Sequence, residues 1–217
     1  MINSSSIKLV TFDLDGTIID SYQTIYKSTI KTLRKLKIET SVNEKEFYKR
    51  IGQHFNDIFS EMNIPVNDFE LFISIYKELY FDFIDESKIY PGVIDTLQFL
   101  NEKNVLVSLL TTKTQSQADK IIDHFGLRNF FSFVMGRRDG IANKPAAEPL
   151  LFICNELQIN AKHTLMVGDT ELDIRCGKNA GAKTCAAAYG YRSEDQLKKE
   201  NADSIIFQIT ELKNIFN

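Results

Sequence analysis

Six residues with carboxylate or hydroxyl side chains stand where apolar runs of the chain end: Asp13, Asp15, Thr111, Thr112, Asp169 and Asp173. Parallel sheets bind ligands at the carboxyl ends of their strands, so we expect these side chains to share one site. Carboxylates brought together without basic partners repel one another unless a divalent cation neutralises them. Oxygen ligands of this kind suit Mg²⁺, whose coordination is usually completed by water and a substrate phosphate.

Taken singly, each of these residues has a simpler structural interpretation. An aspartate after a strand commonly makes a turn or caps a helix, which would account for Asp169 and Asp173. Thr111 would then be a helix N-cap. Such residues follow three strands of the same chain, and this conjunction favours one shared ligand site over three separate turns.

Lys144 is the predicted basic partner of the acidic residues. It precedes Pro145, which is well placed as the first residue of a helix running to Glu156. A cation at the positive end of a helix dipole is unfavourable unless an anion lies opposite, and a phosphate would satisfy it. The alternative is a solvated lysine in a basic surface loop beside Arg137 and Arg138.

The pattern of apolar residues indicates the elements that must position these side chains. Strand-like runs occupy residues 7–14, 105–110, 131–135, 164–167 and 184–188, with a short apolar run at 205–207 before a final helix. Helical periodicity fills the segments between the strands. Strands that alternate with helices of ten or more residues imply βαβ units. We therefore predict an α/β fold, a Rossmann-like three-layer core with a parallel sheet.

One segment, residues 21–87, interrupts this alternation with helical patterns and no convincing strand. Several consecutive helices cannot all cover one strand without leaving a face exposed, so we predict a separate helical bundle. The predicted domains are a catalytic core of residues 1–19 and 88–217 and an inserted α-helical cap domain of residues 20–87. The alternative is a set of extra helices packed directly on the sheet.

Composition excludes several classes of protein. The chain has 217 residues, of which 43% are hydrophobic and 25% charged, so it is neither disordered nor fibrous. The net charge is −3 and no basic block is dense enough to follow a nucleic acid backbone. No apolar run reaches the roughly 18 residues of a membrane span, and the first residues are too polar for a secretory signal. We expect a cytoplasmic protein with no nucleic acid or membrane partner.

Four motifs of this chain resemble those of the haloacid dehalogenase-like hydrolase superfamily. They are the run 13–17 (DLDGT), the strand that ends at Thr111, the pair Lys144-Pro145 and the run 168–173 (GDTELD). They occur in the family's order and span most of the chain. The helical insertion between the first two motifs resembles the family's helical cap, and the layout is similar to that of phosphoglycolate phosphatases. The segment 189–193 and the pair Ala202-Asp203 also resemble that subgroup.

The resemblance implies a catalytic role for each motif. Asp13 would be the nucleophile that forms an aspartyl-phosphate, and Asp15 would act as general acid and then as general base. Thr111 and Lys144 would hold the phosphoryl oxygens. Thr112 is also expected near the phosphate, although many relatives have asparagine at this position.

The resemblance also implies a set of ligands for Mg²⁺. Asp169, the side chain of Asp13 and the backbone carbonyl of Asp15 would bind the ion. Asp173 would bind it directly or orient one of its waters. The second acid, Asp15, argues against dehalogenation, because the true dehalogenases of this superfamily lack it.

Substrate specificity is expected to come from the insertion. In the segment 50–54, Gly52 would make the break between two cap helices, so that Arg50, Gln53 or His54 faces the substrate. The alternative is an exposed helix end with a solvated arginine and a surface histidine.

We expect an Mg²⁺-dependent phosphatase, acting as a monomer or homodimer on a small phosphorylated metabolite such as phosphoglycolate. Three alternatives stay open: a phosphosugar mutase of the β-phosphoglucomutase type, a pyrophosphatase or nucleotidase, and a regulatory binding protein on the same fold.

Overall fold

A computed structural model describes residues 6–216, which form two compact units. One unit contains the described residues up to Ile19 together with those from Ile89 onward, and the other unit is Asp20–Lys88. We refer to them as the core unit and the inserted unit. The predicted insertion, residues 20–87, ends one residue before the second unit does.

Eight strands are present in the described part of the chain: β1 (Leu9–Phe12), β2 (Ile19–Asp20), β3 (Lys88–Ile89), β4 (Leu106–Thr114), β5 (Phe133–Arg137), β6 (Thr164–Gly168), β7 (Lys183–Ala187) and β8 (Ser204–Ile206). Six of them form one parallel sheet in the order β5-β4-β1-β6-β7-β8. The predicted α/β fold with a parallel sheet is therefore confirmed. Every residue of β1 and β6 is buried, as expected for central strands covered on both faces.

Within residues 6–216, five α-helices belong to the core unit: α5 (Val93–Glu102), α6 (Gln115–His124), α7 (Glu148–Glu156), α8 (Glu171–Asn179) and α9 (Glu194–Lys199). The predicted start of α7 at Pro145 is wrong, because the helix begins at Glu148 and Pro149 occupies its first turn. A proline at that position loses no helical hydrogen bond, which makes Pro149 the better start signal. The final helix of the prediction is a 3-10 segment, Ile209–Ile215.

The inserted unit is helical, with α1 (Tyr22–Lys35), α2 (Glu44–Tyr48), α3 (Phe55–Glu61), α4 (Phe69–Tyr80) and a 3-10 segment, Phe81–Glu86. Its core is aromatic: the Phe72 ring lies 4.8 Å from Phe59 and 5.4 Å from Phe55 between centroids, both in edge arrangements. On the buried side of α1, the Thr29 and Thr32 hydroxyls donate to carbonyls one helical turn earlier. Backbone acceptors therefore satisfy these buried hydroxyls, and the aromatic rings supply the apolar contacts.

Membrane crossing is a separate question. Among residues 6–216, no helix combines the length and the apolar character that a membrane crossing needs.

Truncating Phe72 to alanine should destabilise the inserted unit strongly. Its ring is completely buried, and losing a buried phenylalanine costs about 3 to 5 kcal/mol in folding free energy. Leu71→Ala is the matched control, since this neighbouring side chain is 45% exposed and its loss should cost under about 0.5 kcal/mol. Urea unfolding of both variants, followed by circular dichroism, measures the difference. Equal stabilities would contradict the aromatic core.

Candidate active site

Adjacent parallel strands bring three predicted segments to one edge of the sheet. β1 lies between β4 and β6, and Phe12 is in register with Leu109 and Val167. The next residue, Asp13, continues this pairing through a 2.9 Å hydrogen bond from its backbone N–H to the Val167 carbonyl. The residues that follow the three strands therefore meet beyond their carboxyl ends.

Three carboxylates form a buried cluster at this edge. Asp13, Asp169 and Asp173 each offer an oxygen within 4.8 Å of the others. Asp169 and Asp173 are completely buried, whereas Asp13 is 7% exposed. Asp13 is thus the most accessible carboxylate of the cluster, and the other two lie behind it.

Lys144 joins the cluster from the loop before α7. Its Nζ donates to Asp13 Oδ1 at 2.5 Å, to Asp173 Oδ1 at 2.6 Å and to the Leu110 carbonyl at 3.2 Å. The side chain is 4% exposed. The prediction that Lys144 stands at a helix N-terminus is therefore wrong. Lys144 precedes a cis bond to Pro145 in a loop, and carboxylates balance its charge.

The cluster has more negative than positive charge. Burial raises the pKa of Asp13 to about 7, against the pull of Lys144 and with a further push from Asp173. Burial and the neighbouring carboxylates also raise the pKa of Asp169 well above its usual value. Burial alone would lower the pKa of Lys144, but the two aspartates raise it above the ordinary value. One ammonium faces three carboxylates, so the oxygen donors fit a divalent cation, which would supply the missing charge.

The backbone packs closely around Asp169. Its Oδ2 accepts from the Tyr191 N–H at 2.8 Å, and its Oδ1 accepts from the Thr17 hydroxyl at 3.2 Å. A Cβ on Gly16 would lie 2.3 Å from Oδ2, and a Cβ on Gly190 would lie 2.3 Å from the Asp169 Cβ. Only glycine leaves room for this carboxylate at both positions.

The loop that supplies Tyr191 is anchored by an ion pair that the sequence did not reveal. The buried Arg192 side chain places its Nε 2.9 Å from Oε2 of the partly exposed Glu171, in the first turn of α8. Because Glu171 lies two residues after Asp169, the pair ties the loop after β7 to the loop that holds Asp169.

Asp173 has a structural role as well as a place in the cluster. Its Oδ2 accepts from the Thr170 N–H at 3.0 Å and from the Thr170 hydroxyl at 2.7 Å, forming the capping box of α8. A Cβ on Gly168 would lie 2.2 Å from the Asp173 Cγ. Both oxygens of Asp173 thus have protein partners, Lys144 on one side and Thr170 on the other.

Asp15 and Thr111 are linked by a residue that the sequence prediction missed, Lys113. The Lys113 Nζ lies 3.2 Å from Asp15 Oδ2, and its backbone N–H donates to the Thr111 hydroxyl at 3.3 Å. β4 extends to Thr114, four residues past its predicted end, and its pairing with β5 is irregular between Leu110 and Thr114. The apolar pattern that predicted the strand stops at residue 110, so it gave no signal for Lys113.

Thr112 and Lys144 line a small pocket beside the loop between β5 and α7. The other polar residues of this pocket are Thr111, Arg137, Arg138 and Asn143. Arg138 is held there by the Phe133 and Phe152 rings and by Gln115. The structure therefore brings Thr112 next to the phosphate-binding candidates Thr111 and Lys144.

The three candidates from the inserted unit have partners or positions within that unit. The Arg50 guanidinium forms ion pairs with Glu46 and Glu61, each at 2.9 Å, so it links α2 to α3. Gly52 has a φ of +97°, which allows the turn between these helices. His54 is the exposed N-cap residue of α3. Their predicted role in substrate binding stays a prediction.

Comparisons with known proteins identify the family of the chain. The family model for haloacid dehalogenase-like hydrolases matches residues 10–187. Pyrophosphatase PpaX of Halalkalibacterium halodurans is 31% identical over 209 residues, 96% of each chain. Phosphoglycolate phosphatase of Chromobacterium violaceum is 29% identical over 228 residues, 98% of each chain. A solved haloacid dehalogenase-like hydrolase from Streptococcus pneumoniae has the same fold, with a TM-score of 0.87 at 23% identity over 98% of this chain and 100% of its own.

The chain belongs to the haloacid dehalogenase-like hydrolase family. The family resemblance drawn from the four motifs is confirmed, as is the prediction that the chain is a hydrolase.

Gly16→Ala should disable the site through a steric clash with Asp169. Gly16 has a φ of +84°, and Gly181, a position with open space around its Cβ, has a φ of +75°. Alanine at either position should cost about 1 to 2 kcal/mol of backbone strain. Calorimetric titration with Mg²⁺ should show binding to Gly181→Ala and at least about tenfold weaker binding to Gly16→Ala. Equal affinities would mean that Asp169 tolerates displacement.

Proposed function

We propose that the chain is an Mg²⁺-dependent phosphatase that hydrolyses a small phosphorylated metabolite through an aspartyl-phosphate. The observation that carries this proposal is the buried contact of Lys144 with both Asp13 and Asp173 beside Asp169. A lysine 2.5 Å from an accessible carboxylate lies where it can hold the oxygens of a phosphoryl group that the carboxylate attacks.

Asp13 is the proposed nucleophile. Its carboxylate attacks phosphorus, the bond between phosphorus and the leaving oxygen breaks, and the phosphoryl group stays on Asp13. Water then attacks the same phosphorus and releases phosphate. Contact with Lys144 favours the ionised form that this attack needs.

Asp15 is the proposed proton carrier. As a carboxylic acid it gives its proton to the leaving oxygen in the first step, and as a carboxylate it takes a proton from the attacking water in the second. It lies two residues from the nucleophile, and 13% of its side chain is exposed. Thr111 is the proposed second phosphoryl ligand. Its hydroxyl accepts from the Lys113 N–H, so its own proton can point to a phosphoryl oxygen.

Asp13, Asp169 and the backbone carbonyl of Asp15 are the proposed ligands of Mg²⁺. Asp173, which contacts Lys144 and Thr170, would bind the ion directly or orient one of its waters. When bound, the ion would neutralise charge on the phosphoryl group and on the carboxylates.

Two substrates deserve the first tests, because the relatives at this similarity include a phosphoglycolate phosphatase and pyrophosphatase PpaX. Phosphoglycolate is our first expectation and pyrophosphate the second. A mutase of the β-phosphoglucomutase type would use the same carboxylates and pass the phosphoryl group to a sugar hydroxyl. A cytoplasmic location, a monomeric or homodimeric state and the role of the inserted unit as a cap stay predictions.

Phosphate release from a panel that includes phosphoglycolate and pyrophosphate should require both Mg²⁺ and Asp13. Asp13→Asn is nearly isosteric but a poor nucleophile, so it should fold and lose at least about a thousandfold in turnover. Release is measured with and without Mg²⁺, using Asp13→Asn as the blank. Turnover of the variant within a few-fold of the wild type would exclude the aspartyl-phosphate. Steady phosphate release would exclude the mutase.

Replacing Lys144 by methionine should cost both stability and activity. The change leaves Asp13 and Asp173 buried without their cation, and breaking a buried pair costs about 3 to 5 kcal/mol. Lys183→Met is the control, because it removes an exposed lysine from a 2.8 Å pair with Asp203, a contact worth about 0 to 1 kcal/mol. Urea unfolding without Mg²⁺ compares the two. Equal losses would mean that the cluster does not depend on Lys144.

A further inference from the structure

A second lysine of the core unit lies against the other catalytic candidate. Lys113 Nζ is 3.2 Å from Asp15 Oδ2, and only 10% of the Lys113 side chain and 13% of the Asp15 side chain are exposed. The exposed pair of Lys183 and Asp203 serves for comparison, since 49% of the Lys183 side chain and 30% of the Asp203 side chain are exposed. The Lys113–Asp15 pair is therefore better shielded from water than an ordinary surface pair.

The end of β4 positions Lys113 close to a proposed phosphoryl ligand. Lys113 is the eighth residue of this nine-residue strand, two residues after Thr111, in a stretch where the pairing with β5 is irregular. The Lys113 backbone N–H donates to the Thr111 hydroxyl. The lysine thus reaches Asp15 from the segment that also supplies a proposed phosphoryl ligand.

The backbone of Asp15 is held independently of this lysine. The Gly16 N–H donates to the Ile19 carbonyl at 2.8 Å, and the Leu14 carbonyl accepts from the Ile18 and Ile19 N–H groups at 3.0 and 2.9 Å. These bonds fix the turn that carries Asp15, and the Lys113 ammonium contacts the Asp15 carboxylate directly.

We propose that Lys113 is a positioning residue for proton transfer by Asp15, an inference that rests on the proposed phosphatase function. Lys113 holds Asp15 Oδ2, so that the carboxyl group faces the leaving oxygen. As the bond between phosphorus and that oxygen breaks, the Asp15 proton moves to the oxygen and the Asp15 carboxyl becomes a carboxylate. Throughout this step the contact with Lys113 keeps the Asp15 carboxyl group in place. In the second step the carboxylate recovers a proton from the attacking water.

This role predicts an effect that depends on the leaving group. A poor leaving group needs the proton of Asp15 as its bond to phosphorus breaks, whereas para-nitrophenolate leaves readily without it. Phenyl phosphate and para-nitrophenyl phosphate have similar shapes and differ mainly in this need. A lysine that only supports the fold, or that binds the phosphoryl group, would affect both substrates alike.

The experiment measures kcat and KM of the full chain with both phosphates in Mg²⁺. Lys113→Met should lower kcat about 30-fold for phenyl phosphate and less than about threefold for para-nitrophenyl phosphate. The larger loss is a fraction of the factor of ~100 to ~10,000 that a general acid contributes to the rate. KM should change little. Lys113→Arg, which keeps the charge, should recover most of the loss, and Lys183→Met should behave as the wild type.

Asp15→Asn separates failure of this inference from failure of the proposed function. If Asp15→Asn shows the leaving-group effect and Lys113→Met does not, Lys113 has no positioning role although the mechanism stands. If Asp15→Asn lowers both rates equally, Asp15 is not the proton donor and the inference about Lys113 falls with it. An equal loss on both substrates in Lys113→Met, or no recovery in Lys113→Arg, would also overturn it. Melting temperatures of all variants identify losses due to unfolding.

Discussion

The buried ammonium of Lys144 is the interaction on which the rest of the site depends. The Asp13 and Asp173 carboxylates can both be buried because the Lys144 ammonium bonds to each of them. The ammonium can be buried because the two carboxylates neutralise its charge. The three groups come from the end of β1, the loop before α7 and the first turn of α8. Each segment is therefore held in place by charges on the other two.

The parallel sheet makes this arrangement geometrically simple. β4, β1 and β6 are neighbours, so residues far apart in sequence leave the sheet side by side. The site then uses side chains that also complete local structure: Asp173 caps α8, and the Thr111 hydroxyl accepts from its own strand. Much of the precision of the site comes from elements that would be needed for folding in any case.

The sequence predicted the sheet and the acidic cluster because both depend on strand ends, which apolar runs reveal. It could not place Lys144 correctly, because two prolines compete for the start of α7 and only the fold selects Pro149. It missed Lys113 because the strand continues through polar residues that show no apolar pattern. Arg50 was predicted from its position beside a glycine, and its two glutamate partners depend on how α2 packs against α3.

The chain leaves the core unit at β2 and returns at β3, and these two short strands are hydrogen-bonded neighbours. Neighbouring strands lie about 5 Å apart, so the two ends of the insertion are separated by a distance that a tight turn could span. The entropic penalty of closing such a gap grows only with the logarithm of loop length. The sheet therefore places little constraint on the length of the segment inserted at this point.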